Sequence, residues 1–140
     1  MGRSSLRTKP TLTVADVQTI AQACRNEAIK LQLQVAIAIV DDGGHLLYFE
    51  RLEAKTSTVA VAIAKARTSA LMRAPSGMLE QRVQKNTAFL ALDAMPLPGG
   101  MPLILNNDCL GAIGVSGATG AQDECIASAG CETLLSLPIF

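Results

Sequence analysis

The sequence predicts an α+β domain in which helices cover a single antiparallel β-sheet of four to five strands, built from two hairpins. Two pairs of apolar segments are each joined by a short turn rich in Asp, Asn or Gly, which is the usual pattern of a β-hairpin. Apolar residues at helical spacing occur before, between and after these pairs. Because hairpins pair their strands antiparallel, the helices are expected to cover the faces of one sheet.

The chain has 140 residues, a common size for one domain. We expect a flexible, basic N-terminal segment over residues 1–10 and a single domain over residues 11–140. No apolar run approaches the roughly 18 residues that a membrane-spanning helix needs, and the basic N-terminus is not followed by the apolar stretch of a secretion signal. The sequence therefore predicts a cytoplasmic protein without a membrane partner.

The charge composition bears on the partners of the protein. Twelve Lys and Arg residues balance twelve Asp and Glu residues, so the chain lacks the excess of positive charge by which proteins bind nucleic acid. Charged residues make up only 17% of the chain, against about 25% in typical domains. Copies of such a protein repel one another weakly, and residues 134–140 form an apolar C-terminal segment. We therefore expect a homo-oligomer.

The first helix is predicted to begin after Thr13, whose hydroxyl can cap it. Its apolar stripe consists of Val14, Val17, Ile20, Ala21, Cys24, Ala28 and Leu31. The first hairpin follows, with a β-branched strand over residues 34–40, a turn over residues 41–44 and a second strand over residues 45–52.

A second helix is predicted to begin at a cap formed by Thr56 or Ser57 and to reach about Arg73. Its apolar face consists of Val59, Ile63, Ala66 and Ala70. The many alanines of this helix permit a close approach to the neighbouring layer. A short helix is expected over residues 76–86, and residues 89–92 fit either a strand or a helix.

The second hairpin is predicted from the apolar residues 103–105, a turn over residues 106–108 and a strand over residues 110–115. Thr119 and Gln122 then have the spacing of a capping box, in which each side chain bonds the other's backbone amide. This pattern predicts a last helix over residues 120–135.

A glycine-rich turn joins the last strand to the last helix. Free amides and the helix dipole favour an anion at such a helix start, so Ser116, Gly117 and Thr119 form a candidate cradle for a carboxylate. The glycine order is that of neither a P-loop nor a dinucleotide fingerprint. Close packing between strand and helix would explain the same glycines. Similarly, Gly99 and Gly100 allow the backbone to approach either a ligand or another strand.

Two cationic side chains and one histidine are candidates for ligand contacts. Lys65 lies on a largely apolar helix face, where it is either a counter-charge for an acidic ligand or a side chain at the edge of the core. Arg51, on the second strand, has the same two interpretations. His45 is the only histidine, so any catalytic or ligating imidazole must be this residue. The alternative interpretation is that His45 is a solvated residue at the start of a strand.

Four cysteines stand at positions 24, 109, 125 and 131. Their spacing fits neither a zinc ribbon nor a C-x-x-C redox pair. We interpret them as small buried apolar residues and predict no metal site.

The order and spacing of several motifs resemble the GlcG/HbpS family, which includes the C-terminal domain of PduO-type corrinoid adenosyltransferases. The similarity covers about residues 11–135 and is most specific over residues 111–123. The motifs are Val40-Asp41-Asp42-Gly43-Gly44-His45-Leu46, Arg51, Ala64-Lys65-Ala66, Pro98-Gly99-Gly100-Met101-Pro102, and Gly111 to Gly117 with Gln122-Asp123. The resemblance implies an α+β fold, self-assembly, and binding of haem or a related tetrapyrrole.

The leading functional hypothesis from this resemblance is a protein that binds a small molecule, namely haem or another tetrapyrrole. Its carboxylates would meet Arg51, Lys65 or the amides at Ser116 and Gly117, and His45 is the candidate axial ligand. One alternative is a lyase or isomerase for a compact carboxylated substrate, with Lys65 or His45 as acid or base. Another is a non-catalytic assembly subunit.

Overall fold

The computed structural model describes residues 5–138. Residues 1–4 of the expected N-terminal segment and residues 139–140 of the apolar C-terminal segment lie outside this range. The elements, in chain order, are α1 (Val14–Lys30), β1 (Ala36–Asp41), β2 (Leu46–Arg51), α2 (Thr58–Met72), α3 (Gly77–Lys85), a 3-10 helix (Thr87–Ala91), β3 (Gly100–Leu105), β4 (Asp108–Ser116) and α4 (Gly120–Leu134). The segment that fitted either a strand or a helix is therefore helical.

The four strands form one antiparallel sheet in the order β2-β1-β4-β3. Both predicted hairpins are present, and the two central strands, β1 and β4, pair with each other. In this register Ala36 of β1 pairs with Arg51 on one side and with Ser116 on the other. The α+β prediction with a single antiparallel sheet is confirmed, with four strands among the described residues.

The two faces of the sheet are covered differently. Helices α1 and α4 pack together on one face over a core of large aliphatic side chains, among them Ile20, Ile37, Ile113 and Ile126, all fully buried. Helix α2 covers the other face, where the buried side chains are almost all alanine: Ala36, Ala38, Ala62, Ala66, Ala70 and Ala112, with Val40. Because alanine projects so little from the backbone, α2 lies unusually close to the sheet.

The helix starts show which capping predictions were correct. Thr13 caps α1 in a capping box with Asp16. Ser57 stands at the N-cap of α2 but makes no capping hydrogen bond, since its backbone is already helical, with φ −63° and ψ −21°. A side chain on a helical residue does not point back over the first free amides. Thr58 instead donates its hydroxyl proton to the carbonyl of Lys55 at 2.6 Å.

The two residues at the ends of the predicted apolar stripe of α1 are exposed and do not belong to the core. Val14, the first residue of α1, is 76% exposed, and Leu31, its C-cap residue, is 39% exposed. In the C-terminal segment Leu134 is buried and Leu137 packs against the core, whereas Leu135 is exposed. Two leucines of this segment are therefore covered within one copy of the chain.

Within residues 5–138 no helix is long and apolar enough to cross a membrane.

Candidate functional site

Lys65 lies on the middle of α2 and is buried, with only 4% of its side chain exposed. Its ammonium donates to the carbonyl of Val115 at 2.9 Å and to Oδ2 of Asp123 at 3.1 Å. The Asp123 side chain is equally buried, at 3% exposure. The lysine and the start of α4 are thus joined by an internal ion pair.

The two adjacent glycines make room for this pair. Gly99 has φ +128°, and a Cβ built on it would lie 2.8 Å from the Lys65 ammonium nitrogen. Gly100 donates its amide proton to the hydroxyl of Ser76 at 2.8 Å, and a Cβ there would lie 2.5 Å from the hydroxyl oxygen of Ser69. The atoms nearest to these two Cβ positions are backbone carbonyl oxygens, that of Val115 on β4 for Gly99 and that of Lys65 on α2 for Gly100. The close approach expected for these glycines is therefore to the neighbouring strand and helix of the same chain.

The start of α4 holds an anion that the chain itself supplies. The amide of Ala118 donates to Oδ1 of Asp123 at 2.9 Å, while the other carboxylate oxygen meets Lys65. Thr119 and Gln122 form the predicted capping box. The sequence places Asp123 in the last motif, in the first turn of the predicted helix, but assigns it no partner. An acidic residue in the first turn after a glycine-rich loop was the signal that could have identified it as the partner of Lys65.

We expect Thr119→Ala to lower the free energy of unfolding by about 1 kcal/mol, because the amide of Gln122 would lose its acceptor. Ser57→Ala is the matched control, since Ser57 holds the same position on α2 without a capping bond. The Ser57→Ala substitution should lower the free energy of unfolding by only a few tenths of a kcal/mol. Urea unfolding followed by circular dichroism measures both, and equal losses would contradict a capping role for Thr119.

A cleft of about 460 Å³ opens beside the ion pair, and we call it the α4 cleft. Its polar lining consists of Lys65, Glu80, Ser116 and Asp123, with Leu97 and Pro98 among its apolar residues. The fold therefore brings together Lys65, Ser116 and the start of α4, as the sequence analysis proposed. Glu80, on α3, is a further lining residue that it did not identify. Gly117 and Thr119 lie at the exposed surface beside the cleft.

Arg51 and His45 lie away from this cleft. Arg51 is exposed and is separated from Ser116 by strand β1, which corresponds to about 10 Å. His45 precedes β2 at the opposite end of that strand, about 20 Å from Arg51. The residues proposed as one set thus lie in three places: the cleft, Arg51 at one end of β2, and His45 at the other end of β2, to which the hairpin turn carries it.

His45 is held by the carboxylate of Asp41 at the tip of the first hairpin. Asp41 Oδ1 accepts the amide protons of Gly43 and His45, both at 2.9 Å, and lies 3.2 Å from the ring atom Nδ1 of His45. Partial burial favours the neutral acid, but these hydrogen bonds outweigh it and lower the pKa of Asp41. The carboxylate therefore stays ionised at neutral pH and can fix the orientation of the imidazole.

The four cysteines differ in environment. Cys24 and Cys109 are buried and Cys131 is half-buried, but Cys125 is exposed on α4, so the expectation of burial was wrong for Cys125. Burial raises the pKa of both Cys24 and Cys131 to about 12, which keeps these thiols protonated. Between residues 5 and 138 no three His, Cys, Asp or Glu side chains are grouped in a way that could hold a metal ion.

The comparisons with known proteins agree with the geometry of the fold. The family described as haem degrading protein HbpS-like matches residues 12–132. GlcG from Escherichia coli K12 is 38% identical over 114 residues, which cover 79% of this chain and 85% of GlcG.

Two solved structures have the same fold. The HbpS double mutant from Streptomyces reticuli superposes with a TM-score of 0.85 and 29% identity, covering 96% of this chain and 94% of that chain. PduOC, solved as a complex with haem, superposes with a TM-score of 0.81 and 25% identity, covering 88% of this chain and 94% of that chain.

Proposed function

This chain belongs to the HbpS-like family, and we propose that it binds haem or a related tetrapyrrole with His45 as the axial ligand. The family description names haem, and PduOC is a relative solved with haem. Both support the class of ligand.

The contact between His45 and Asp41 carries the proposal. A carboxylate at Nδ1 favours the tautomer with its proton on that nitrogen, which leaves the lone pair on Nε2 free to bind a metal. The side chain is 82% exposed, and within residues 5–138 Nε2 has no hydrogen-bond partner. A histidine with Nδ1 held by a carboxylate and Nε2 free is arranged as histidines that ligate iron are. Haem bound through this nitrogen would supply a redox-active iron centre.

Apolar walls and a cation lie close to the same turn. Leu47 and Leu110 line a depression of about 210 Å³ together with Asp41 and Asp42. Residues 10–12 and Leu110 separate it from a second, more apolar depression of about 470 Å³. A Cβ built on Gly44 would lie 3.7 Å from Nε of Arg67, so a guanidinium stands beside the turn. We propose that the macrocycle lies on these apolar walls and that Arg67 attracts its carboxylates.

On titration with haem, the protein is expected to give a Soret band that shifts in His45→Ala, because the iron loses its imidazole ligand. We expect the affinity to fall by at least about tenfold, which corresponds to about 1.4 kcal/mol. Absorbance titration against haem measures the band position and the affinity together. Circular dichroism of the variant checks that the hairpin still folds.

Arg67→Gln is the comparison that separates ligation from carboxylate attraction. It should weaken haem binding while leaving the Soret position unchanged, since the guanidinium does not touch the iron. Arg82→Gln, an exposed change on α3, should alter neither. An unchanged band and affinity in His45→Ala would refute His45 ligation, and a folded protein that binds no haem would refute the proposed function itself.

A further inference from the structure

We propose that the α4 cleft is a second small-molecule site, independent of the haem proposal, and that it takes a compact primary amine with an apolar body. The sequence pattern alone favoured a carboxylate at this helix start. The arrangement of donors and acceptors in the folded chain points to the opposite charge.

The groups that could have bound a ligand carboxylate are already in use. The Ala118 amide and the Lys65 ammonium both bind Asp123, and the ammonium also donates to the Val115 carbonyl. A ligand carboxylate would have to displace Asp123 from these donors. It would also stand next to Glu80, a second negative charge in the lining of the cleft. One ammonium against two carboxylates makes this lining net negative.

The polar groups left over are a carboxylate, which only accepts hydrogen bonds, and a hydroxyl, which can accept them as well as donate. Ser116 is only 8% exposed, lines the cleft, and its hydroxyl makes no hydrogen bond with any residue in the range 5–138. The hydroxyl oxygen is not among the fully enclosed polar atoms that lack a partner, so it is reached from the cleft and can accept a hydrogen bond from a bound molecule. Glu80 likewise makes no ion pair with the described part of the chain. A carboxylate and a hydroxyl on the same cleft suit a donor-rich cation.

A primary ammonium meets these requirements. It carries three donors and no acceptor, so it can bond the Glu80 carboxylate and the Ser116 hydroxyl together. Hydrogen bonds between charged partners are roughly twice as strong as neutral ones. The volume of about 460 Å³ lies within the usual range of small-molecule sites. Leu97 and Pro98 offer contact surface to an apolar body.

Benzylamine is a suitable probe, with benzyl alcohol and benzoate as matched neutral and anionic molecules of the same shape. In amide NMR titrations of the full chain, benzylamine is expected to shift the signals of residues 116–118 in a saturable manner. The two control molecules should bind at least about tenfold more weakly, a difference of about 1.4 kcal/mol. Benzoate binding as tight as benzylamine, or no saturable binding of benzylamine, would overturn the proposal.

Two variants locate the binding. Glu80→Gln and Ser116→Ala should each weaken benzylamine binding at least about fivefold, whereas Glu132→Gln, an exposed carboxylate of α4 outside the cleft lining, should leave it unchanged. Retention of full affinity in Glu80→Gln would refute the site. Haem titration of Glu80→Gln should match the parent protein, so failure of this proposal and failure of the haem proposal are distinguishable.

Discussion

Replacement of Lys65 by methionine is expected to lower the free energy of unfolding by about 3–5 kcal/mol. Methionine fills a similar volume, so the main change is loss of the ammonium that faces Asp123 at 3.1 Å. Both side chains of the pair are almost completely buried, and the remaining carboxylate would be an uncompensated charge away from water. Urea unfolding measures the loss, because the midpoint and slope together give the free energy.

A double-mutant cycle isolates the pair from other effects of the substitution. Asp123→Asn keeps an acceptor for the Ala118 amide but removes the negative charge. The double variant Lys65→Met/Asp123→Asn should therefore be more stable than the sum of the single losses predicts, by about 1–3 kcal/mol. Lys55→Met, at an exposed position, should change stability by no more than about 0.5 kcal/mol. Additive losses in the cycle would show that Lys65 and Asp123 are not coupled.

Gly114→Ala is expected to cost about 3 kcal/mol or more, at the upper end of what overpacking in a core costs. Gly114 lies in the middle of β4, between Ala38 and Gly100 in the sheet. A Cβ at this position would overlap the carbonyl oxygen of Ala62 and lie 2.5 Å from the amide nitrogen of Ala66. These are backbone atoms of α2, so the helix as a whole would have to move away from the sheet.

Gly43→Ala provides the matched control for this substitution. Its added Cβ would meet the ring of His45 at 3.0 Å, and that exposed side chain can rotate away. The change in unfolding free energy should stay within about 1 kcal/mol. Both variants are measured by urea unfolding, with failure of Gly114→Ala to fold counted as the larger effect. Equal stabilities of the two variants would contradict the close packing of α2.

Local patterns predicted most of the secondary structure because they depend on neighbours in the sequence. The turn at residues 41–44 and the capping box at Thr119 use residues within four positions of one another, so short-range preferences are sufficient. The cap at Ser57 failed although the residue type was suitable, since its backbone had already become helical. Residues 89–92 were ambiguous because a short apolar run fits either kind of element.

The candidate site was predicted only in part. Sequence motifs identified Lys65, Ser116 and the start of α4, and the fold brings all three to one cleft. No local signal pairs Lys65 with Asp123, which lies 58 positions further along the chain. The same limit applies to Glu80 on α3 and to Arg67 beside Gly44, because their roles depend on which helix faces which loop.

The sequence by itself determined the class of fold, the two hairpins and the helix starts, since periodicity, turn residues and caps act over a few residues. Only the tertiary structure decided the electrostatics of the site. The sign of the charge that a cleft favours depends on which donors are already bonded, and the bond that occupies the Lys65 ammonium joins residues 58 positions apart. Asp123 satisfies the Ala118 amide and the Lys65 ammonium, so a helix start suited to an external anion instead borders a cleft whose free carboxylate and hydroxyl can both accept hydrogen bonds.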